Sequence, residues 1–289
     1  MKKTILILTA LVGAMLWTAC QKPEDNVVNT PKNIPEGSLW LSLKASKGMD
    51  TKALDLSGST LNAYWSSSEK VKVFKAGTCI GTLDVTPGEG EKPSTATLAG
   101  TITAGISAGD NLLLLLPREA WDYTDQDGSL PNDYDYATTS VTVDAIDGTD
   151  VSTTVSSVTF QNQQSIYRFS FAANSSPLLV KGFTVSSTGN KLVQSRNWSG
   201  SAWTSAYGAL SVNAASATSD PLYLALRNEH TGSADTYSFN VIGDDDILYL
   251  GEKEVSAERL ENGKFLSAQS IPVTKATLSK SSSPADKVW

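Results

Sequence analysis

Cys20 is the residue whose surroundings most directly imply chemistry. Lys2 and Lys3 precede an apolar run from Ile5 to Trp17, then come Thr18, Ala19 and the cysteine. A basic start, an apolar middle and small residues before a cut make an export signal. The run of 13 residues falls short of the roughly 20 that a membrane-spanning helix needs. The cysteine stands directly after the small residues, at the start of the chain that such a cut would leave, where a lipid on its thiol would hold the mature protein to a membrane. Two or more acyl chains, at ~0.8 kcal/mol per buried methylene, anchor a protein stably without crossing the bilayer. An ordinary secretory signal with a chance cysteine is the alternative.

Other residue types point away from catalysis. His230 is the single histidine, in a turn-like Arg227-Asn-Glu-His-Thr-Gly stretch, and a Ser/His/acid set would have to use it. No Cys/His cluster has zinc spacing. The acidic stretch Asp122–Asp127 lacks the first ligand of a calcium loop, and Asp244–Asp246 would need a turn to converge its carboxylates. No enzyme activity, metal or cofactor is therefore expected. With Cys20 acylated only Cys79 remains, so no internal disulfide forms, and its strand-like Thr-Cys-Ile-Gly setting predicts a buried small apolar residue. Trp121, Trp198 and Trp203, with Tyr123 and Tyr207, stand in polar, turn-rich surroundings. They either form a surface that binds a sugar ring or a protein, or close the ends of a core.

Loss of the leader takes the formal charge from −7 to −9. Nucleic acid, whose phosphates require Lys and Arg, is excluded as a partner. Residues 20–37 read as a tether stiffened by Pro23, Pro31 and Pro35. Beyond it, short alternating runs dominate: Leu39, Leu41 and Leu43; Tyr167, Phe169 and Phe171; Leu222, Leu224 and Leu226; Tyr237, Phe239 and Val241. Such alternation predicts strands with one core face. Leu112–Leu116 does not alternate and predicts a central strand covered on both faces. Turn signals such as Asp127-Gly128 and Asn262-Gly263 punctuate the runs. The expected architecture is all-β, two sandwiches in tandem over 38–153 and 154–289, divided at a polar stretch near 146–155.

The leader resembles a bacterial lipobox, with Trp17 where Leu is usual, and that resemblance implies that residues 1–19 are removed and Cys20 becomes the lipid-bearing first residue. Glu24 and Asp25 resemble the acidic signal that sends lipoproteins of gut and oral Gram-negative anaerobes to the outer surface. A solvated linker is the alternative. Further on, Tyr64-Trp65 with Glu69-Lys-Val-Lys-Val-Phe74 resembles a stretch of the fimbrillin family. Leu112–Pro117 is similar to that family's strand ending in a Leu-Pro turn. Thr159–Phe171 resembles its strand pair opening a second domain, Leu179–Leu192 continues it, and Asn262-Gly-Lys-Phe265 is similar to the start of its last long strand.

That resemblance implies two transthyretin-like sandwiches. It also implies a surface adhesion lipoprotein or a subunit of type V pili, joined to other fimbrial subunits or to itself by strand exchange. There a protease removes the first strand and a neighbour's strand fills the groove. Here SLWLSLK, residues 38–44, has the alternation of a removable first strand. The end of the chain, 271–289, is either a donor strand or the last strand of the second sandwich. The family's cleavage after Arg has no counterpart before Arg118. Lys44, Lys47 and Lys52 are the candidate cleavage positions. Alternatively they are loop charges and the first strand is retained in an anchor or cap. A carbohydrate-binding surface lipoprotein is the alternative function.

Overall fold

The computed structural model describes residues 33–48, 55–57, 60–116, 120–130, 137–199, 202–229 and 232–277. Cys20, the leader, most of the tether, Lys52 and His230 lie outside them. The first stretch of chain forms β1 (Ser38–Lys47), β2 (Asp55–Ser57), β3 (Thr60–Asn62), β4 (Lys70–Lys75), β5 (Thr78–Pro87), β6 (Thr95–Thr103), β7 (Asn111–Leu116), β8 (Ala120–Asp122) and β9 (Asp125–Gln126). Then come β10 (Ala137–Asp147), β11 (Asp150–Thr153), β12 (Ser157–Asn162), β13 (Ser165–Ala173), β14 (Ser176–Pro177), β15 (Val180–Ser187) and β16 (Val193–Trp198). The last stretch is β17 (Trp203–Tyr207), β18 (Leu210–Thr218), β19 (Leu222–Leu226), β20 (Asp235–Gly243), β21 (Leu248–Val255), one helical turn α1 (Ala257–Leu260), and β22 (Phe265–Lys275).

The fold is all-β, two sandwich modules in tandem. The first has its layers joined along both margins. Hydrogen bonds run β1–β12–β10–β7–β4–β5–β6, and β6 pairs β1 again. The interior holds Leu41, Val71, Val73, Leu83, Leu98 and Phe160 among others. The second has β19–β13–β22 on one side and β21–β20–β15–β18 on the other, with β22 bonded to both β13 and β21. Its interior is aromatic: Phe169 and Phe171 each lie 5.2–5.6 Å from Phe183 and Phe239 in edge and tilted pairs, and Phe183 and Phe239 are 6.2 Å apart.

The alternating runs lie as the pattern predicts, with Tyr167, Phe169, Phe171, Tyr237, Phe239 and Val241 all buried. The non-alternating Leu112–Leu116 is covered on both faces for a specific reason. Leu112, Leu114 and Leu116 enter the first core, while Leu115 and the half-buried Leu113 turn to the second.

Two placements differ from the sequence reading. Ser157–Asn162, expected in the second half, is bonded to β1 and β10 and belongs to the first sheet. The proposed strand pair across 159–171 is therefore split, β12 to one module and β13 to the other. Conversely β8 and β9, expected in the first half, pair with β16 and β18 of the second. Alternation states which face of a strand is apolar but not which sheet receives it. Cys79 is exposed, contrary to expectation. It follows the Ala76-Gly77 turn, where both residues have positive φ, and the ladder slips at Phe74 opposite it.

Candidate functional site

The site that the sequence points to is the bed of β1. Leu39, Leu41, Leu43, Ala45 and Lys47 alternate inward along the strand and are buried. One edge of β1 pairs antiparallel with β6 from Ser38↔Thr103 to Ser46↔Thr95. The other edge runs parallel to β11 at Trp40↔Asp150 and Leu41↔Val151, then to β12 from Lys44↔Ser157 to Lys47↔Phe160. Trp40 N donates to Thr149 O at 2.7 Å, and Gly48 N to Phe160 O at 3.1 Å, fixing both ends of that register. β1 is thus longer than the expected 38–44 and is bonded along both sides. Each of its leucines contributes roughly 1.5–3 kcal/mol by burial.

Lys44 and Lys47 lie inside this strand, not in a loop after it. Lys44 is exposed, but its backbone is in both ladders. Lys47 is not a solvated charge: its side chain is 0% exposed and its Nζ donates to Glu69 Oε1, which is 3% exposed, at 2.7 Å. It also donates to Tyr64 O at 2.7 Å and stands 4.7 Å from the centre of the Trp65 ring. A protease needs an accessible, unpaired segment, so neither lysine is a cleavage position while β1 is in place. Tyr64, Trp65 and Glu69 were visible in the sequence as a motif, but nothing local links them to a lysine more than fifteen residues earlier.

At the end of β1 an open cleft of about 480 Å³ is lined by Gly48, Phe160, Asn162, Asn262, Gly263 and Lys264, among others. It has no convergent acid, base or nucleophile. Among the described residues no group of His, Cys, Asp and Glu could hold a metal ion. Asp122 and Asp127 accept hydrogen bonds from Thr124 and Ser129 two residues on, and these donors hold both carboxyls below the usual range. Asp246 pairs with Lys181 at 2.7 Å.

The three tryptophans come together, but not as a surface platform. Trp121 is buried and lies 5.4 Å from Trp203, which lies 5.1 Å from Trp198. Trp198 meets Phe74 of the first module edge-on at 5.6 Å, and the Arg196 guanidinium covers Trp203 at 4.6 Å. Trp198 and Trp203 are half-buried against the same core. The cluster is the seam between the two modules. Spacing could not reveal this, because Trp121 reaches it on β8, sent across from the other module. Next to it Tyr123 is fully buried and donates to Gln164 Oε1 at 2.7 Å. Gln126 Nε2 donates to Ala225 O at 2.7 Å and to Tyr123 O at 3.1 Å, while Ala225 N donates to Gln126 Oε1 at 2.8 Å. Sequence reasoning missed Gln126, and glutamine in a polar stretch carries no signal of such a role.

Of the two readings of the end of the chain, the described part supports one. Ile271 and Val273 are buried in the second core, and β22 pairs with β13 from Ile166↔Phe265 to Ala173↔Val273. It is the closing strand of its own sandwich and is not spare to serve as a donor. Residues 278–289 lie outside the described residues.

The fold and this strand bed define a tandem β-sandwich protein. No family model matches the chain, and no curated protein matches it. Solved structures do. A candidate cell adhesion protein from Bacteroides ovatus is 12% identical, over 82% of this chain and 95% of that one, with a TM-score of 0.39. A second candidate adhesion protein, from Parabacteroides distasonis, is 11% identical over 83% and 92%, with a TM-score of 0.39. The tip fimbrial protein Mfa3 from Porphyromonas gingivalis is 10% identical over 74% and 81%, with a TM-score of 0.38.

Proposed function

We propose that this chain is a non-enzymatic surface adhesion protein or type V pilus component. Cys20 anchors it by lipid at the outer membrane surface, and it joins other fimbrial subunits, or copies of itself, by strand exchange at the bed of β1. The observation that carries the reading is β1 itself. It is first in the described chain, inserts an unbroken inward row, and is bonded on both edges, so its departure leaves a bed that only another strand can fill. Strand addition supplies both the main-chain hydrogen bonds and the alternating side chains. Cleavage that frees β1 must fall after Gly48, and Lys52 is the candidate there. The adhesion target is a host protein or glycan.

The burial of Lys47 and the double pairing at Lys44 favour a second form of the same function, in which β1 is kept and the protein serves as an anchor or cap. Limited trypsin treatment followed by sizing separates the two. Ladders of oligomers support exchange, whereas a stable clipped monomer retaining residues 38–48 supports the anchor or cap. Absence of fatty-acid label from the wild-type protein, compared with Cys20→Ser, would remove the lipid anchor from the account.

A further inference from the structure

We propose that the Tyr64–Glu69 segment is a receptor for an ammonium group, so that a strand entering the bed of β1 must carry a lysine at the place of Lys47. The proposal rests on the strand-exchange reading and names the partner's chemistry. A carboxylate, a backbone carbonyl and an indole face surround the Lys47 ammonium. All three belong to the body that remains when β1 leaves.

They are also held in place without β1. Glu69 Oε2 accepts a hydrogen bond from Ser66 N at 2.7 Å, and Glu69 N donates to Ser66 O at 3.1 Å, which fixes the carboxylate over its own turn. Trp65 N donates to Pro93 O at 2.8 Å, and its ring meets Phe160 edge-on at 5.6 Å. The receptor is therefore built before its cation arrives. Four apolar positions, Leu39, Leu41, Leu43 and Ala45, would accept many amphipathic strands, because apolar burial is not directional. The fifth inward position is different. A strand that places Met, Leu or Glu there buries the Glu69 carboxylate without a counter-charge, which costs far more than the loss of one apolar contact. Three donors on a compact ammonium match the carboxylate, the carbonyl and the ring face. The wider, planar fork of arginine suits bidentate partners better. The partner is thus a strand of another subunit with three or four alternating apolar residues followed, two positions on, by lysine. Selection against wrong strands comes from the buried charge they would strand.

The test uses the full chain with residues 49–53 replaced by a specific protease site. The chain is nicked there and challenged with fluorescent peptides of residues 38–48. The native peptide is expected to enter, and the Lys47→Met peptide to bind roughly 100-fold more weakly. Against the Glu69→Gln protein the gap should shrink to a few-fold. The comparison of native, Lys47→Met and Lys47→Arg peptides on the unaltered body decides the question even if Glu69→Gln fails to fold. Equal or tighter binding of Lys47→Met overturns the cation requirement and leaves strand exchange standing. Entry of neither peptide overturns strand exchange itself, and this inference with it.

Discussion

Replacement of Gln126 by methionine should destabilise the second module out of proportion to its single side chain. β19 pairs β13 along one edge, with Ala225 opposite Ile166. The N–H and C=O of one strand residue point to the same side. At Ala225 that side faces Gln126, whose amide donates to the carbonyl and accepts from the N–H at 2.7 and 2.8 Å. Ala225 is fully buried, so water cannot take over. Methionine keeps the volume but leaves a donor and an acceptor unpaired, each at about 1–3 kcal/mol. The sum is about 2–6 kcal/mol, a large part of the 5–15 kcal/mol that holds a typical domain together. Gln126→Glu should be worse, since it can accept from Ala225 N but sets a carboxylate against Ala225 O. The assay is urea unfolding followed by tryptophan emission, which reports on the cluster of Trp121, Trp198 and Trp203 beside this strand. Gln161→Ala, at an exposed side chain, serves as control. A Gln126→Met protein within about 0.5 kcal/mol of wild type, the ordinary range for surface changes, would refute the reasoning.

Three further outcomes are expected. Gly100→Ala should lower stability by about 1–3 kcal/mol, measured as a fall in Tm, because an added Cβ would meet Thr82 O at 2.6 Å and force β5 and β6 apart. Burial raises the pKa of Asp235, but hydrogen bonds from Ser187, Thr188, Gly189 N and Thr236 N outweigh it and hold the carboxyl below its ordinary value. The stability this group contributes is complete above about pH 4 and is lost as pH falls through the depressed value. Asp235→Asn should therefore lose less stability than wild type on acidification through that range, read by denaturant midpoints. Cys79 should react with a thiol reagent in the native protein at the rate of an exposed cysteine, and protection until unfolding would contradict its placement.

Much of the fold was legible because strand alternation is a local signal. Leu39 to Leu43, Tyr167 to Phe171 and Tyr237 to Val241 each declare an apolar face, and each face is buried. Even the irregular leucine run at 112–116 was readable as a strand with two covered faces. What covered its second face was not, since that cover is the seam with the other module, where Leu113 and Leu115 join a cluster that holds Phe74 and tryptophans distant in the chain. The same limit hid the exchange of β8, β9 and β12 between modules, because sheet partners are chosen by long-range closure. At the candidate site the apolar row was visible and the buried charge was not. Lys47 reads as one more solvated lysine until Glu69 and Trp65 are folded beneath it. Cys79 differs for the opposite reason, because its strand-like stretch reads as buried while a tight turn and a slipped ladder carry it outside.

The closure of the first sheet on itself has a consequence for how β1 could ever be surrendered. A ring of strands has no raw margin, but lifting one strand out creates two at once, on β6 and along β11 and β12. Such a vacated body would offer both bare margins to extended chains nearby, its own copies included. Handover would then have to be zipper-like, with the arriving strand advancing residue by residue as the old one peels away. The starting point would be whichever end frays first, and an empty subunit would never accumulate in solution.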